Sequence, residues 1–316
     1  MRQPTLAQVL NSERSDSGRC LEVYDLFCGA GGFSAGAAAA GCRVAFACDM
    51  DAEALKTHEV NHPDCQHLLQ ELPADDLPLP ADGRAWHLHA SPPCQKLSSA
   101  STRARSQGDK DHALELVRWF LTLALRSHAS SWTLEQVASP QVLDLVESVR
   151  RSAPTRMAYD VFYFETLGVP QTRRRLIAGS PRLIGKLLRA RESQPRRSVR
   201  DVLPVPRGTH VRNDRWWSKK RLKNIPGGRA RYVYTKCSWT DGCWTIRGPA
   251  PTVLQSRLFW IRRNTDGTLF RDHLRVDEYA SLQTFPPDYV FPERAVLAQK
   301  LIANAVPPLV AQLLLA

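Results

Sequence analysis

The chain has 316 residues, 43% of them hydrophobic and 23% charged, with a formal net charge of +12. This length suits one large domain with its own core plus a small one, and the composition excludes wholesale disorder. The longest apolar runs, such as Phe33 to Cys48, are Ala- and Gly-rich, broken by Arg43 and too short to span a bilayer, so no membrane segment is expected; residues 1–20 lack a signal-peptide stretch and read as an unprocessed, partly mobile extension on a cytoplasmic protein.

In chain order, LEVYDLF (Leu21 to Phe27) predicts a strand, followed by the glycine turn Gly29 to Gly32 and a small-residue helix to Ala40. VAFAC (Val44 to Cys48) predicts a second strand that ends at Asp49, Met50 and Asp51, with Asp51 placed to cap the helix AEALKTHEV. WHLHA (Trp86 to Ala90) predicts a third strand, His112 to His128 a helix and WTLEQV (Trp132 to Val137) another strand. Alternating strands and helices over 21–180 imply an α/β, Rossmann-like fold, a mostly parallel sheet covered by helices on both faces. From about 181 to 246 the pattern weakens into Pro-, Gly- and Arg-rich sequence, read as a small second domain with little regular structure. Helices over Tyr279 to Phe285 and Ala295 to Leu315, the latter broken by Pro307 and Pro308, predict that residues 247–316 return to the first domain.

The charge is regional. Residues 182–246 hold 17 Lys and Arg against 4 Asp and Glu, a balance of +13 that leaves −1 elsewhere. Trp216, Trp217, Tyr232, Tyr234, Trp239 and Trp244 are interleaved there with Arg212, Arg215, Lys219, Lys220, Arg221, Lys223, Arg229, Arg231 and Lys236. Basic residues mixed with aromatics suit a polyanion with stackable bases; the competing reading is a solvated loop with a few packing aromatics. The eight cysteines show no C-x-x-C pair and no Cys/His cluster at zinc spacing, so reduced thiols and no metal are expected.

Ligands bind at the carboxyl ends of strands in such a sheet. The glycine turn, the Asp49 end and Cys94 all fall there. The turn lacks phosphate-loop spacing and has no P-loop lysine. Asp49 is placed to accept hydrogen bonds from ribose hydroxyls and Met50 to lie on an adenine face, so a nucleoside without a pyrophosphate fits better than a dinucleotide; a tight turn plus a helix cap is the plainer alternative. Pro92 and Pro93 fix the backbone before Cys94, while the polar run Lys96 to Asp111 stays free to move. Lys96, Arg103 and Arg105 would favour a thiolate there; otherwise Cys94 is a buried loop cysteine. Glu135 and the arginines of QTRRR (Gln171 to Arg175) are candidate partners. In an extended segment Arg173 and Arg175 share a side and Arg174 takes the other, unless this is only an exposed ion-pairing strand.

DLFCGAGGFS from Asp25, SPPCQ from Ser91, LEQV from Leu134, QTRRR from Gln171, GPAPT from Gly248 and ANAVPP from Ala303 together resemble the ordered motif set of the cytosine-5 DNA methyltransferase family. The resemblance covers roughly 21–180 and 244–316. It implies a cofactor, S-adenosyl-L-methionine, leaving as S-adenosyl-L-homocysteine, held by Phe27, Gly29, Ala30, Gly31, Gly32, Asp49, Met50, Pro93, Val306 and Asn304. Glu71, with Asp64 as second choice, would receive the adenine amino group. Cys94 would be the nucleophile, Glu135 would meet ring nitrogen 3 and the exocyclic amine of cytosine, and Arg175, supported by Arg173, would hold the carbonyl and the loop. Residues 181–246 would be a target-recognition domain on double-stranded DNA, with Gln95, Ser98, Arg103, Arg105, Arg212, Arg215, Lys219, Lys220, Arg221, Arg229 and Arg231 touching nucleic acid. A monomer acting on DNA in the cytoplasm of a bacterial or phage-infected cell is expected. Thiolate addition at carbon 6 would turn the ring into an enamine whose carbon 5 accepts the methyl group, and carbon 6 is reachable only in an extruded base.

The chain departs from the family pattern in four places. Gln136 stands for the usual Asn, Trp86 for a usual acid, Ala303 for a usual Gly, and the loop after Cys94 lacks the common Arg-Gly pair. An RNA enzyme of the same fold is a second reading, although the Cys-Phe-Thr signature of that branch is absent. A DNA-binding relative that is catalytically weak is a third.

Overall fold

The computed structural model describes residues 20–94, 97, 107–203, 231–236, 241–245, 247–253, 258–263 and 269–316. The expected extension to residue 19 and the candidates Gln95, Ser98, Arg103, Arg105, Arg212, Arg215, Lys219, Lys220, Arg221 and Arg229 lie outside the described residues.

Seven short apolar segments become strands: β1 (Glu22–Leu26), β2 (Arg43–Asp49), β3 (Gln66–Leu69), β4 (Trp86–Ala90), β5 (Ser131–Gln136), β6 (Ala158–Tyr163) and β7 (Arg174–Gly179). They form one sheet in the order β3-β2-β1-β4-β5-β7-β6. The pairs from β3 through β5 are parallel, and β7 runs antiparallel to both β5 and β6. The strand order reverses between β1 and β4, which opens a crevice at their carboxyl ends.

The central strands β1, β2, β4 and β5 are buried on both faces, as a covered parallel sheet requires. On one face Tyr24, Leu26, Phe46 and Leu88 pack with Val117, Phe120 and Leu121 of α3 (Gln107–Arg126) and Val142 and Val146 of α4 (Pro140–Ser152). The other face sets Val23, Val44 and Ile177 against Phe33 of α1 (Gly32–Ala39) and Leu55 of α2 (Ala52–Asn61). Leu187 of α5 (Pro181–Ser193) and Val310 and Leu314 of α9 (Pro308–Leu315) complete that layer. The apolar stretch 295–315 is two helices, α8 (Ala295–Asn304) and α9, which part at the prolines. Neither reaches the ~20 residues needed to cross a bilayer.

Trp86, where the family usually has an acid, is 1% exposed and meets Tyr24 edge to face at 5.1 Å, so it fills the first core. A third cluster joins Val199 of α6 (Val199–Val202), Ala250, Val253, Leu258, Leu274, Tyr279 of α7 (Val276–Leu282) and Ile302 of α8.

A second, antiparallel sheet of order β11-β10-β8-β9 is formed by β8 (Arg231–Lys236), β9 (Asp241–Thr245), β10 (Leu258–Arg263) and β11 (Leu269–His273). The composition shift set the second domain at 181–246 and gave it little regular structure. The sheet instead runs on to His273, and α5 belongs to the main core. RYVYTK and LFWIRR are rich in aromatic and β-branched residues, but they are short and flanked by arginine and lysine.

Candidate active site

The turn after β1 departs from ordinary backbone at three points: φ is +56° at Phe27, +54° at Gly29 and +84° at Gly31, which caps α1. It is pinned from β2. The carboxylate of Asp49 accepts from the Gly29 N–H at 2.8 Å through one oxygen and from the Asp51 N–H at 2.8 Å through the other. Burial raises the Asp49 carboxyl above its ordinary value, against the pull of those two amides. Asp51 caps α2 as the sequence implied, accepting from Glu53 N and Ala54 N, and takes the Lys300 ammonium at 2.9 Å.

A Cβ placed on Gly29 would meet nothing within 4 Å. The Asp49 carboxylate is bonded to the turn at this opening, Met50 follows it with 60% of its surface exposed, and Glu71 is exposed just past the neighbouring strand β3. An acid at the end of β2, a soft apolar side chain beside it and an acid beyond β3 fit a nucleoside ligand. Gly32 serves a different purpose: its Cβ would lie 2.2 Å from the Val306 carbonyl oxygen, so glycine is required for the C-terminal segment to pass. Ala30 is 1% exposed and its carbonyl accepts from the Tyr289 hydroxyl. Ala30, Gly31, Gly32 and Val306 thus form the wall behind the opening. Asn304 is exposed at the end of α8, and Pro93 is exposed beside Cys94.

The turn that carries Cys94 is anchored along its length. The Ser91 N–H donates to Leu26 O at 3.3 Å, the Ser91 hydroxyl to Phe27 O at 3.3 Å, and the Gln136 side-chain amide to the buried Pro92 carbonyl at 3.0 Å. The other end of that amide accepts from the Val137 N–H at 2.8 Å. Gln136, a departure from the family pattern, therefore ties β5 to the prolines. Cys94 is partly exposed and packs against the first core.

Glu135, at the end of β5, is 5% exposed. Its Oε1 lies 3.0 Å from Arg175 Nε and 4.0 Å from Arg173 Nη2. The 3.0 Å contact is not aligned as a hydrogen bond, so Glu135 Oε1, Arg173 Nε and Arg175 Nε are all buried polar atoms without a hydrogen-bond partner among the described residues. Such atoms carry a desolvation cost unless something arrives to satisfy them. Arg173 and Arg175 share one side of the chain and Arg174 is exposed on the other, donating to Ala138 O at 3.1 Å. Cys94 sits in the field of this group. Burial pushes its thiol above the ordinary range, Arg175 and then Arg173 pull it down, and Glu135 adds to the rise. Lys96, Arg103 and Arg105 lie outside the described residues; among the described ones Arg175 lowers the thiol most, and it does not overcome burial.

Arg173 has a second task. Its guanidinium donates to Ala303 O at 3.0 Å and Ala305 O at 3.3 Å, clasping the ANAVPP segment to β7. Burial and the neighbouring Arg175 lower its pKa, yet a guanidinium in this range stays charged. Gln171 is fully buried and donates to Leu282 O at 3.0 Å and to the Gln283 side chain, while accepting from Val253 N at 2.9 Å. Gln283 in turn donates to Ala305 O at 2.6 Å. Sequence reasoning gave Gln171 and Gln283 no role; the place of Gln171 within QTRRR was the one available signal. Arg231 opens β8.

Beneath the turn, Asp25 is fully buried, accepts from the Ser34 hydroxyl at 2.7 Å and is pushed up to about 7, chiefly by burial. His58, Cys65 and His67 also lie close together on that side, a grouping their spacing in sequence did not reveal.

The description "C-5 cytosine-specific DNA methylase" matches residues 21–119 and 155–316. Among curated relatives, the Type II methyltransferase M1.HphI of Haemophilus parahaemolyticus is 25% identical over 92% of this chain and 85% of its own. M.HgiDI of Herpetosiphon aurantiacus is 24% identical over 91% and 90%. Two solved structures share the fold. A DNA modification methyltransferase encoded within an Escherichia coli prophage has TM-score 0.62 at 19% identity, covering 93% of this chain and 97% of its own. A Spodoptera frugiperda DNMT2 mutant has TM-score 0.59 at 13% identity, covering 92% and 97%. The chain belongs to the C-5 cytosine-specific DNA methylase family.

Proposed function

We propose that this DNA cytosine methyltransferase works through a transient bond from Cys94 Sγ to carbon 6 of a cytosine turned out of double-stranded DNA. The observation that supports this most is the meeting of Cys94 and Glu135, at the carboxyl ends of β4 and β5, with Arg175 at the amino end of the antiparallel β7. S-adenosylmethionine supplies the methyl group as a sulfonium. Gly29 and Phe27 would give it room, Asp49 would take its ribose, Met50 its adenine face and Glu71 the adenine amino group. Ala30, Gly31, Gly32, Pro93, Asn304 and Val306 would complete its surroundings.

Carbon 5 of cytosine is a poor nucleophile until a thiolate adds at carbon 6. The Cys94 thiol is held above its ordinary range in the free enzyme, so its proton passes to solvent only as the base arrives and Arg175 faces the developing thiolate charge. Glu135 gives a proton to ring nitrogen 3 as the Sγ–C6 bond forms, an electrostatic gain of about 3 kcal/mol per well-placed donor. After methylation, a base removes the carbon 5 proton, the Sγ–C6 bond breaks and Glu135 recovers its proton from nitrogen 3. Arg175 Nε, with Arg173 Nε behind it, would be the donors offered to the carbonyl of cytosine, since neither has a hydrogen-bond partner among the described residues.

The basic region and the second sheet would carry target recognition, with phosphate contacts offsetting a base-flipping cost of a few kcal/mol. Such an enzyme would meet its substrate in the cytoplasm of a bacterial cell. The test is methyl transfer from tritiated S-adenosylmethionine to duplex DNA, single strands and tRNA in parallel. Label should enter duplex DNA and be recovered as 5-methylcytosine after digestion. Label confined to tRNA, or appearing on another base, would overturn the reading.

A further inference from the structure

On the face of the sheet opposite Cys94, the chain leaves α2, turns through His62 to Cys65 and enters the edge strand β3. This passage brings together His58 in the last turn of α2, Cys65 in the turn and His67 in β3, with ligand-type atoms all within 4.8 Å of one another. His58 Nδ1 and His67 Nε2 are 2.8 Å apart. The other nitrogen of His58, Nε2, lies 2.9 Å from Ser34 Oγ, and that hydroxyl donates its proton to Asp25 Oδ2 at 2.7 Å. With Asp25 ionised, Ser34 spends its one proton on the carboxylate and accepts from His58 Nε2–H. The lone pair of His58 is therefore on Nδ1, aimed toward His67 and Cys65. A carboxylate acting on the remote ring N–H is how metal-binding histidines are oriented and their tautomer fixed.

We propose that His58 Nδ1, Cys65 Sγ and His67 Nε2 form a binding site for one zinc-class divalent ion, with water as fourth ligand on the half-buried His67 side. Two nitrogens and one thiolate suit zinc in preference to magnesium or calcium, which take oxygen ligands. Tetrahedral zinc with Zn–N of about 2.0–2.1 Å and Zn–S of about 2.3 Å sets its ligand atoms roughly 3.3–3.6 Å apart. The present spread brackets that range. The imidazoles must part by about half an ångström and the thiol must swing inward by about one, both within side-chain torsions. On binding, the Cys65 thiol proton goes to solvent and the His67 proton moves from Nε2 to Nδ1. His62 stays outside the set: its Nε2 faces the Tyr289 hydroxyl at 3.4 Å. The ion would brace the cofactor side of the fold, because the His58 ring lies 2.9 Å from where a Gly31 Cβ would be.

The test uses the full chain, stripped with a chelator and titrated with zinc chloride or cobalt chloride. One equivalent of zinc should bind and raise the melting temperature, and cobalt should show a thiolate charge-transfer band in the near ultraviolet. Cys65→Ser should abolish the band and weaken zinc binding at least ~100-fold, and His67→Gln should weaken it ~10- to 100-fold. Cys94→Ser should leave both signals intact. If Cys65→Ser does not fold, His67→Gln, at a half-buried ring, carries the comparison. Absence of stoichiometric zinc binding, or a cobalt band that survives Cys65→Ser or disappears in Cys94→Ser, would overturn the proposal and leave a metal-free hydrogen-bonded chain.

Discussion

Replacing Arg173 by Leu tests whether one buried guanidinium fastens the C-terminal segment to the catalytic strand. The carbonyl of Ala303 would normally accept from the N–H four residues on, but that residue is Pro307, which has none; Arg173 Nη1 takes its place at 3.0 Å. The Ala305 carbonyl keeps Gln283 at 2.6 Å when Arg173 is gone, so it is only half deprived. Glu135 loses a cation 4.0 Å away but keeps Arg175 at 3.0 Å. One fully orphaned buried carbonyl costs about 1–3 kcal/mol, and removing one partner from a buried charged group raises the total to roughly 3–5 kcal/mol. Arg173→Lys, which cannot fork to two carbonyls, should recover less than half of that loss. Urea unfolding at constant m-value measures it. Arg175→Leu should cost activity with a smaller loss of stability, since among the described residues Arg175 otherwise donates only to the adjacent Arg174 carbonyl. A stability loss below about 1 kcal/mol for Arg173→Leu would refute the reasoning, because the carbonyls would then have another partner.

Further outcomes follow from the same packing. Gly32→Ala forces a Cβ to 2.2 Å from the Val306 carbonyl and should destabilise by about 1–3 kcal/mol or more; Gly29→Ala meets no clash but holds an alanine at φ +54°, and should cost about 1–2 kcal/mol while weakening S-adenosylmethionine binding. Gln136→Leu orphans the Pro92 carbonyl and the Val137 N–H and should cost roughly 2–5 kcal/mol in the same unfolding assay. Burial lowers His87 to about 3 and His62 to about 4, so the stability they represent is complete above pH 6.5 and fades as pH falls toward those values. At pH 5 each has cost about 2 kcal/mol, and Asp25, raised to about 7, returns about 2 kcal/mol between pH 7 and 5. His58 and His89 are lowered as well, so urea midpoints should fall clearly from pH 7.5 to pH 5; equal midpoints would contradict the burial of these rings.

Much of the parallel sheet was legible because β1, β2, β4 and β5 are apolar runs that end in turns or acids. β3 was not: Gln66–Leu69 is an edge strand with two exposed and two half-buried residues, too short and polar to stand out. The second sheet was hidden because RYVYTK lies within the basic region, where charge stood out first, and LFWIRR is a short apolar run of four residues without alternation. In the site, Cys94, Glu135 and Arg175 could be named from motifs, and the register of β5 and β7 brings the last two together. The clasp of Arg173 on Ala303 and Ala305 spans 130 and 132 residues, and no local pattern encodes such a contact. The same holds for His58, Cys65 and His67, which become neighbours only when α2 folds back beside β3.

The central claim is that Cys94 Sγ bonds to carbon 6 of the target cytosine, and a duplex carrying 5-fluorocytosine tests it most directly. Fluorine cannot leave carbon 5 as a proton does, so the bond from sulfur to the ring should persist after methyl transfer. The account predicts a denaturant-resistant protein–DNA complex whose cross-link maps to the peptide holding Cys94 and is absent from Cys94→Ser. A cross-link that survives Cys94→Ser, or methylation of ordinary duplex DNA by that variant at the parent rate, would contradict it.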